Sequence, residues 1–570
     1  MDTVRRTADF RRIETLPVRS WDVERFDPQP LTDRLRCENG TMTLRPIQAL
    51  ALQEMIDADG LLGAIGVGHG KTIVSLLASS VLPTERPLLL LPAQLKRLTE
   101  RELLPEMRKH WEISPLLRIE SYHEISNNPE VLVGYRPDLI IADECHRIAR
   151  CGSARTKRLL RYFNEYPETR FVGLSGTITR KSLEDYWHLL LMALKQKAPI
   201  PMKYNEMRTW AMALDDGIIE MERAHIGALR HFCDNDQLHP SRTLEEKRRE
   251  ARRGYQARLT GTSGVVATSD SSVDASLTIA KRSSRQVYNP DARSWIVESL
   301  NKLEETWVTP GGEEITDAVD YWRKAREIAM GFYYEWDWEE PNHEWLEARK
   351  NWRRYVRRET QRVNNIPWVD ATWTIFDTEM QVTQACERGD LVSQEYNEWI
   401  TVKGDANPKT RTVWVDDTIL EDVIELACDR DTIIWFEQRA VGERLKRLTD
   451  WPVFQGGQNA NLEMTTHVNR TKGPCAASIR AHGVGVNLQS FNDCIVLTPP
   501  SSGATWEQLL GRTHRKGQEA DEVSVTLYQH TQEYQRAFAK ALENAKYIEE
   551  STGQKQKLNF ASVAWCDGAE

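Results

Sequence analysis

Residues 66–72, Gly66-Val67-Gly68-His69-Gly70-Lys71-Thr72, constrain this chain more than any other stretch. Glycines at alternate positions let a turn approach a ligand with no Cβ atoms in the way, and the N–H groups of a turn that opens a helix point at whatever anion sits there. Lys71 offers a positive charge to phosphate oxygens, and Thr72 a hydroxyl suited to Mg²⁺. The apolar run Leu61-Leu62-Gly63-Ala64-Ile65 predicts a strand leading in, and the spacing from Thr72 to Ser79 predicts a helix leading out. The pattern G-x-x-x-x-G-K-[ST] would put its first glycine at Ile65, whereas the nearest one here is Gly66. Strand, glycine-rich turn and helix in this order predict a phosphate-binding loop; the plain alternative is a turn carrying an exposed lysine.

A bound triphosphate needs more than a loop, and the chain supplies candidates in order. Leu44-Arg45-Pro46-Ile47-Gln48 opens a helix, and the Gln48 amide can both donate and accept, as an adenine edge requires. Pro87 to Pro92, Asp138 to Ala142 and Arg170 to Leu174 are short apolar runs that read as buried strands. The second ends in Asp143-Glu144-Cys145-His146, where two acids at a buried strand end call for a partner. Mg²⁺ shared between Asp143 and Thr72 would provide one, leaving Glu144 to polarise a water. The third ends in Ser175-Gly176-Thr177, whose hydroxyls could link this site to the far side of the sheet. Strands alternating with helices over residues 44–194 predict a doubly wound parallel α/β lobe, preceded by a polar extension over 1–43.

Residues 195–412 differ, being rich in Trp, Arg and Glu, and read as a mostly helical insertion. Trp345, Trp352, Val356 and Val363 share one helical face, and Arg349, Lys350, Arg353, Arg354, Arg357 and Arg358 spread over the opposite arc. Two readings stand: Arg353, Arg354, Arg357 and Arg358 contact phosphates, or they form a solvated face over a Trp core. Loops are expected at Gly261-Thr262-Ser263-Gly264 and over 269–276. A second alternating region follows over 413–550, with strands expected at Thr432 to Phe436, Cys475 to Ile479, Cys494 to Leu497 and Val523 to Leu527, then a tail over 551–570. The run from Gln508 to Arg515 would set Arg512 and Arg515 one helical turn apart, able to grip γ-phosphate oxygens from across a cleft.

Composition bounds the partners. A chain of 570 residues with net charge −9 is not coated in basic surface, so nucleic-acid binding would use a local groove. No apolar stretch is long enough to span a membrane, which together with the polar start predicts a soluble, cytoplasmic protein. The nine cysteines lack paired spacing for a zinc site, and His231, Cys233 and His239 lack a suitable fourth ligand.

Taken together, Leu44–Gln48, Gly68–Thr72, Asp143–His146, Ser175–Thr177, Gly483–Leu488 and Gln508–Arg515 resemble, in order, the motifs of superfamily 2 helicases. Leu183 to Trp187, Arg480 to Leu488 and the ending His514-Arg515-Lys516-Gly517-Gln518 look closest to the Swi/Snf-like branch of DNA translocases. Tyr255 to Leu259 and Gly331 to Trp336 look similar to phage-encoded members, which would place the protein in a bacterial host's cytoplasm, in phage DNA replication, recombination or genome handling. The resemblance implies two RecA-like lobes with ATP and Mg²⁺ in the cleft. Gln48 and Gln508 would help hold the nucleotide, with Gly68, Gly70, Lys71 and Thr72 at its phosphates. Asp143, Glu144, Arg512 and Arg515 would serve catalysis, and Ser175 and Thr177 coupling. Pro92, Gln94, Arg480, His482 and Asn487 would lie along a nucleic-acid backbone. The partner implied is DNA, duplex or single-stranded; an RNA helicase and a nucleotide-gated clamp that does not translocate are the competing readings.

Overall fold

In the computed structural model the apolar runs become strands covered on both faces. It describes all residues except 1–2, 20–24, 152, 180, 217, 219–222, 235–238, 269–272, 274, 288–289, 339, 362–375, 377, 458–459, 484–485 and 567–570. Val363, Val484, Gly485 and most of the 269–276 loop therefore lie outside the described residues. Numbered in chain order, β1 (Leu61–Ala64), β2 (Pro87–Leu91), β3 (Arg118–Ser121), β4 (Leu139–Asp143), β5 (Arg170–Ser175) and β6 (Val265–Ala267) form a six-stranded parallel sheet ordered β3-β2-β4-β5-β1-β6. Alternation sends Leu88, Leu90, Ile140, Ala142 and Phe171 into one helical layer. Leu89, Leu91, Ile141, Val172 and Leu174 go into the other, which is why these runs are apolar throughout.

The next strand, β7 (Ser276–Arg282), crosses to a second sheet, and β8 (Phe332–Asp337) and β9 (Lys409–Trp414) form an antiparallel ribbon. Then β10 (Thr432–Phe436), β11 (Val453–Phe454), β12 (Cys475–Ser478), β13 (Asp493–Val496), β14 (Glu522–Tyr528) and β15 (Ser562–Trp565) complete a seven-stranded parallel sheet ordered β11-β12-β10-β13-β14-β7-β15. The chain is thus an α/β protein with two parallel sheets.

Four expected boundaries need correction. The first sheet's unit does not stop at 194: helices Tyr204–Leu214 and Leu244–Thr260 bury Met207, Trp210, Tyr255 and Leu259 in its core, and β6 pairs with β1. The second sheet likewise recruits β7, and helix Ala318–Ala329 packs Ala325 and Ile328 against Ile434 and Phe436. What remains of the insertion is the β8–β9 ribbon with helices His343–Gln361, Glu379–Arg388 and Gln394–Val402, which enclose their own core of Trp345, Trp352, Val356, Val382 and Trp399. The expected C-terminal tail instead supplies β15, and the N-terminal extension carries helices Ala8–Thr15 and Gln29–Leu35, buried through Phe10, Ile13, Leu31 and Leu35. No helix among the described residues is long and apolar enough to cross a membrane.

Candidate functional site

The glycine-rich loop joins β1 to helix Lys71–Val81, as the spacing predicts. Gly68 and Gly70 have φ of +91° and +76°, and a methyl group on Gly70 would fall 2.1 Å from Gln48 Nε2, so both conformation and space require glycine there. Lys71 is buried, and its Nζ donates to the carbonyls of Ile65 (3.0 Å) and Gly66 (3.3 Å). Gln48 is buried as well and its amide is already committed: Nε2 donates to the carbonyls of His69 (3.1 Å) and Gly70 (3.4 Å), and Oε1 accepts from the Arg45 N–H. Here Gln48 shapes the loop, and it would have to exchange partners to read a base. Arg45 also donates to the Gly68 carbonyl (2.7 Å), and the Gly66 N–H donates to Thr268 Oγ1 (2.9 Å) just beyond β6. Neither residue stood out in the sequence, because both act on the loop from distant elements.

Asp143 ends β4, and Glu144 follows in the left-handed region at φ +57°, which side-chain-bearing residues adopt infrequently. Both carboxyls are buried. Burial and the Glu144 charge push Asp143 up to about 7, with Lys71 opposing. Burial also penalises a charge on Glu144, but Lys71, His146 and Arg512 outweigh it and hold this carboxyl well below the usual range. The pair therefore keeps a negative charge on Glu144 while Asp143 sits near neutrality. His146 Nδ1 lies 3.2 Å from Glu144 Oε2 and 2.9 Å from Ser175 Oγ, and the Ser175 hydroxyl is also within hydrogen-bonding distance of the Thr177 carbonyl (2.9 Å). Ser175 and Thr177 thus connect to the acid pair through His146. Its position next to the two acids was the available signal.

The second sheet contributes from the opposite side. Helix Gly503–Leu510 stops before Arg512, which corrects the expectation that Arg512 and Arg515 share a helical face. Gly511 ends the helix where a methyl group would lie 2.7 Å from Val67 Cγ1, so this turn sits against the glycine-rich loop. A methyl on Gly68 would likewise be 3.5 Å from Arg515 Cβ. Arg512 is buried, and its guanidinium donates to the carbonyls of Gln508 (3.0 Å) and Val486 (3.2 Å). Burial lowers its pKa to about 10, with Glu144 pulling the other way, and the guanidinium stays charged at neutral pH. Gln508 is half-buried one turn before it.

The residues expected along a nucleic-acid backbone divide. Gln94, exposed on helix Ala93–Leu98, and Arg480, exposed at the start of helix Ile479–His482, line one cavity of about 360 Å³ together with Glu437, Arg439 and Gln455. Arg480 also reaches Glu437 at 3.3 Å. Asn487 is exposed, and Pro92 is buried as the residue that starts its helix. His482 must be corrected: it is fully buried, Nδ1 lies 2.8 Å from Asn461 Oδ1, and burial lowers its pKa to about 4, so it packs the interior of the second sheet's unit. The basic face on His343–Gln361 must be corrected at Arg353, while Arg354 and Arg358 stay exposed at 56% and 63%. Arg353 is buried between Glu313 and Asp320, Arg354 pairs with Glu314 at 3.0 Å, and Arg357 lies over the Trp307 ring while donating to the Thr306 carbonyl. Arg358 covers Tyr355 and meets Glu359 and Glu395 at 3.5 and 3.9 Å. These cations are matched by acids and rings of the protein itself, and Trp345 and Trp352 belong to the core.

Among the described residues no cluster of three or more His, Cys, Asp or Glu could hold a metal. A site built from one hydroxyl and one carboxylate suits Mg²⁺ alone, since that ion keeps waters and is completed by substrate phosphates. Thr72, in the first turn of helix Lys71–Val81, and Asp143, at the end of β4, are the residues of those two kinds that the sequence offered. Comparison of the sequence with protein-family models and with curated proteins finds no match.

Proposed function

We propose that this chain is an ATP-dependent translocase acting on DNA, with its two sheets serving as RecA-like lobes that share one nucleotide site. The observation that carries the reading is the convergence at residues 66–72: Lys71 and the Asp143–Glu144 pair from the first sheet meet Arg512 and Arg515 from the second, with Arg515 against Gly68. Chance assembles one of these groups readily, but not a cradle, an acid pair and opposed guanidiniums around the same loop.

In this reading the N–H groups after Gly68 and the Lys71 ammonium bind the phosphates, and Lys71 leaves the Ile65 and Gly66 carbonyls to do so. Mg²⁺ held by Thr72 and Asp143 would neutralise developing charge on the phosphates. Glu144, kept ionised by its neighbours, orients and polarises the attacking water. Arg512 and Arg515 stabilise charge on the transferring group, the contribution that arginine fingers make at about 10³–10⁵ in rate. Because these arginines belong to the other sheet, their engagement depends on how the sheets approach each other, which ties hydrolysis to movement. Gln94 and Arg480 line one cavity where a backbone would run, so grip would be sequence-independent and salt-sensitive.

The test is ATP hydrolysis measured with duplex DNA, single-stranded DNA and RNA in parallel, followed by triplex displacement. Stimulation by DNA with displacement supports the proposal. Stimulation by RNA alone selects the RNA helicase, and nucleotide-dependent binding without displacement selects the clamp.

A further inference from the structure

The segment after helix Gln532–Thr552 returns to the phosphate loop. β15 pairs with β7, Lys281 lies over the Trp565 ring at 4.3 Å, and the Cys566 N–H donates to the Lys281 carbonyl, which anchors the chain end and draws residues 554–560 across the second sheet. There Lys555 and Lys557 line a narrow cleft together with Lys516, Gly66, Gly68 and His69.

Lys557 is the unusual member. It is buried, yet its Nζ has a neutral partner: His514 Nδ1 at 3.3 Å, with the Phe560 ring at 5.8 Å. His514 Nε2 lies 2.8 Å from the Ala275 carbonyl, which fixes its proton on Nε2 and leaves Nδ1 to accept from Lys557. Glu507 is the one acid among the described residues lining the cleft; it accepts the Lys557 backbone N–H at 2.7 Å, and burial penalises its charge. Burial disfavours the Lys557 charge, the nearby Glu507 carboxyl favours it and Arg515 opposes it, while Arg45 disfavours the charge of Arg515. Three lysines thus line the cleft beside the loop, with Arg515 and Arg45 nearby, in a protein of net charge −9. Gathering them costs free energy that an arriving polyanion would recover.

We propose that Lys557, with Lys555 and Lys516, forms a second cationic wall of the nucleotide site that binds the polyphosphate alongside Lys71. This rests on the phosphate-loop reading above and adds to it a binding element from the end of the chain. It also gives a role to β15, which joins the Glu507–Lys557 backbone bond and buried Leu558 in holding Lys557 at the loop.

The experiment is equilibrium binding of fluorescent ATP, ADP and AMP to the full chain, comparing wild type with Lys557→Met, Lys557→Arg and Lys71→Ala. A charge-assisted contact predicts that Lys557→Met weakens ATP by roughly 10–100-fold, ADP by less and AMP little, and that Lys557→Arg restores most of the loss. A structural role alone would lower the three affinities together. Wild-type ATP affinity in Lys557→Met, with Lys71→Ala impaired, overturns the wall while leaving the phosphate loop standing. Failure of wild type itself to bind ATP overturns both. Should Lys557→Met not fold, the double variant Lys516→Ala/Lys555→Ala, altered at two exposed side chains, is expected to show the same graded loss. Its absence overturns the proposal.

Discussion

Arg353 separates a basic face from an internal ion network, and replacing it decides between them. Its side chain is 6% exposed and joins Glu313 at 15% and Asp320 at 9%, both in the layer packed on the second sheet, so it pins the insertion to that layer. Arg353→Ala strands the two acids in part. Breaking a buried pair costs about 3–5 kcal/mol, and because Glu313 keeps Lys324 at 3.0 Å and Arg349 at 3.1 Å, the lower end applies here. The titration of Glu313 gives a figure of the same size for the whole network. Burial opposes its charge, but Lys324, Arg353 and Arg349 hold it down at about 2 against a usual 4.5, which corresponds to about 3 kcal/mol. A depressed carboxyl stabilises above its unfolded pKa and loses that stabilisation as pH falls through its folded pKa. The difference between wild type and Arg353→Ala is therefore largest at neutral pH and shrinks between about pH 4.5 and 2.

The assay pairs thermal unfolding across that range with a salt titration of DNA binding. Unfolding of the insertion should drop by on the order of 10 °C at pH 7, and the slope of log affinity against log salt should not change. A phosphate-contacting face predicts the reverse: an unaltered Tm and a slope shallower by about 0.9 for each contact removed. That second result would refute the network.

Lys71→Ala and Glu144→Gln should abolish ATP turnover in protein shown to be folded by circular dichroism; normal turnover in either removes the site assignment. Arg512→Ala should lower kcat by about 10³-fold or more with ATP still bound, which single-turnover kinetics would separate from a binding defect. Gln94→Ala and Arg480→Ala should weaken DNA uniformly across sequences, and Arg480→Ala should also reduce the salt slope by about 1; binding isotherms on unrelated sequences check both. Asp215 accepts the Tyr547 hydroxyl at 2.5 Å, and burial raises its pKa to about 7 against the opposition of that and other hydrogen bonds. A raised carboxyl stabilises below its unfolded pKa near 3.8 and loses this as pH climbs through 7, so Asp215→Asn should flatten the fall in Tm between pH 5 and 8 relative to wild type.

What could be read from the sequence follows from how much of each element is self-contained. β2, β4, β10 and β13 carry near-continuous apolar runs because helices cover both faces, so their pattern announces them. β7 alternates buried Leu277 and Ile279 with more exposed Thr278 and Ala280, and β15 and β3 are edge strands, so each resembles a polar loop until its partner is known. The boundary at 194 failed for the same reason: β6 is three residues long and becomes a strand by pairing with β1. On helix His343–Gln361 periodicity located the Trp core correctly. It could not reveal that Glu313, Glu314 and Asp320, from a loop and helix earlier in the chain, stand opposite the arginines.

The candidate site shows a deeper limit. Three groups that would meet a triphosphate are here engaged with main-chain carbonyls: Lys71 with Ile65 and Gly66, Gln48 with His69 and Gly70, Arg512 with Gln508 and Val486. A motif specifies which side chains can bind phosphate, but not which internal acceptors satisfy them beforehand. Such acceptors are neutral, and a phosphate oxygen is a charged acceptor forming hydrogen bonds roughly twice as strong, so exchange favours the ligand without leaving buried cations bare in its absence. Lys557 differs because its stand-in is a histidine side chain rather than the main chain, with the Glu507 carboxyl near enough to support its charge.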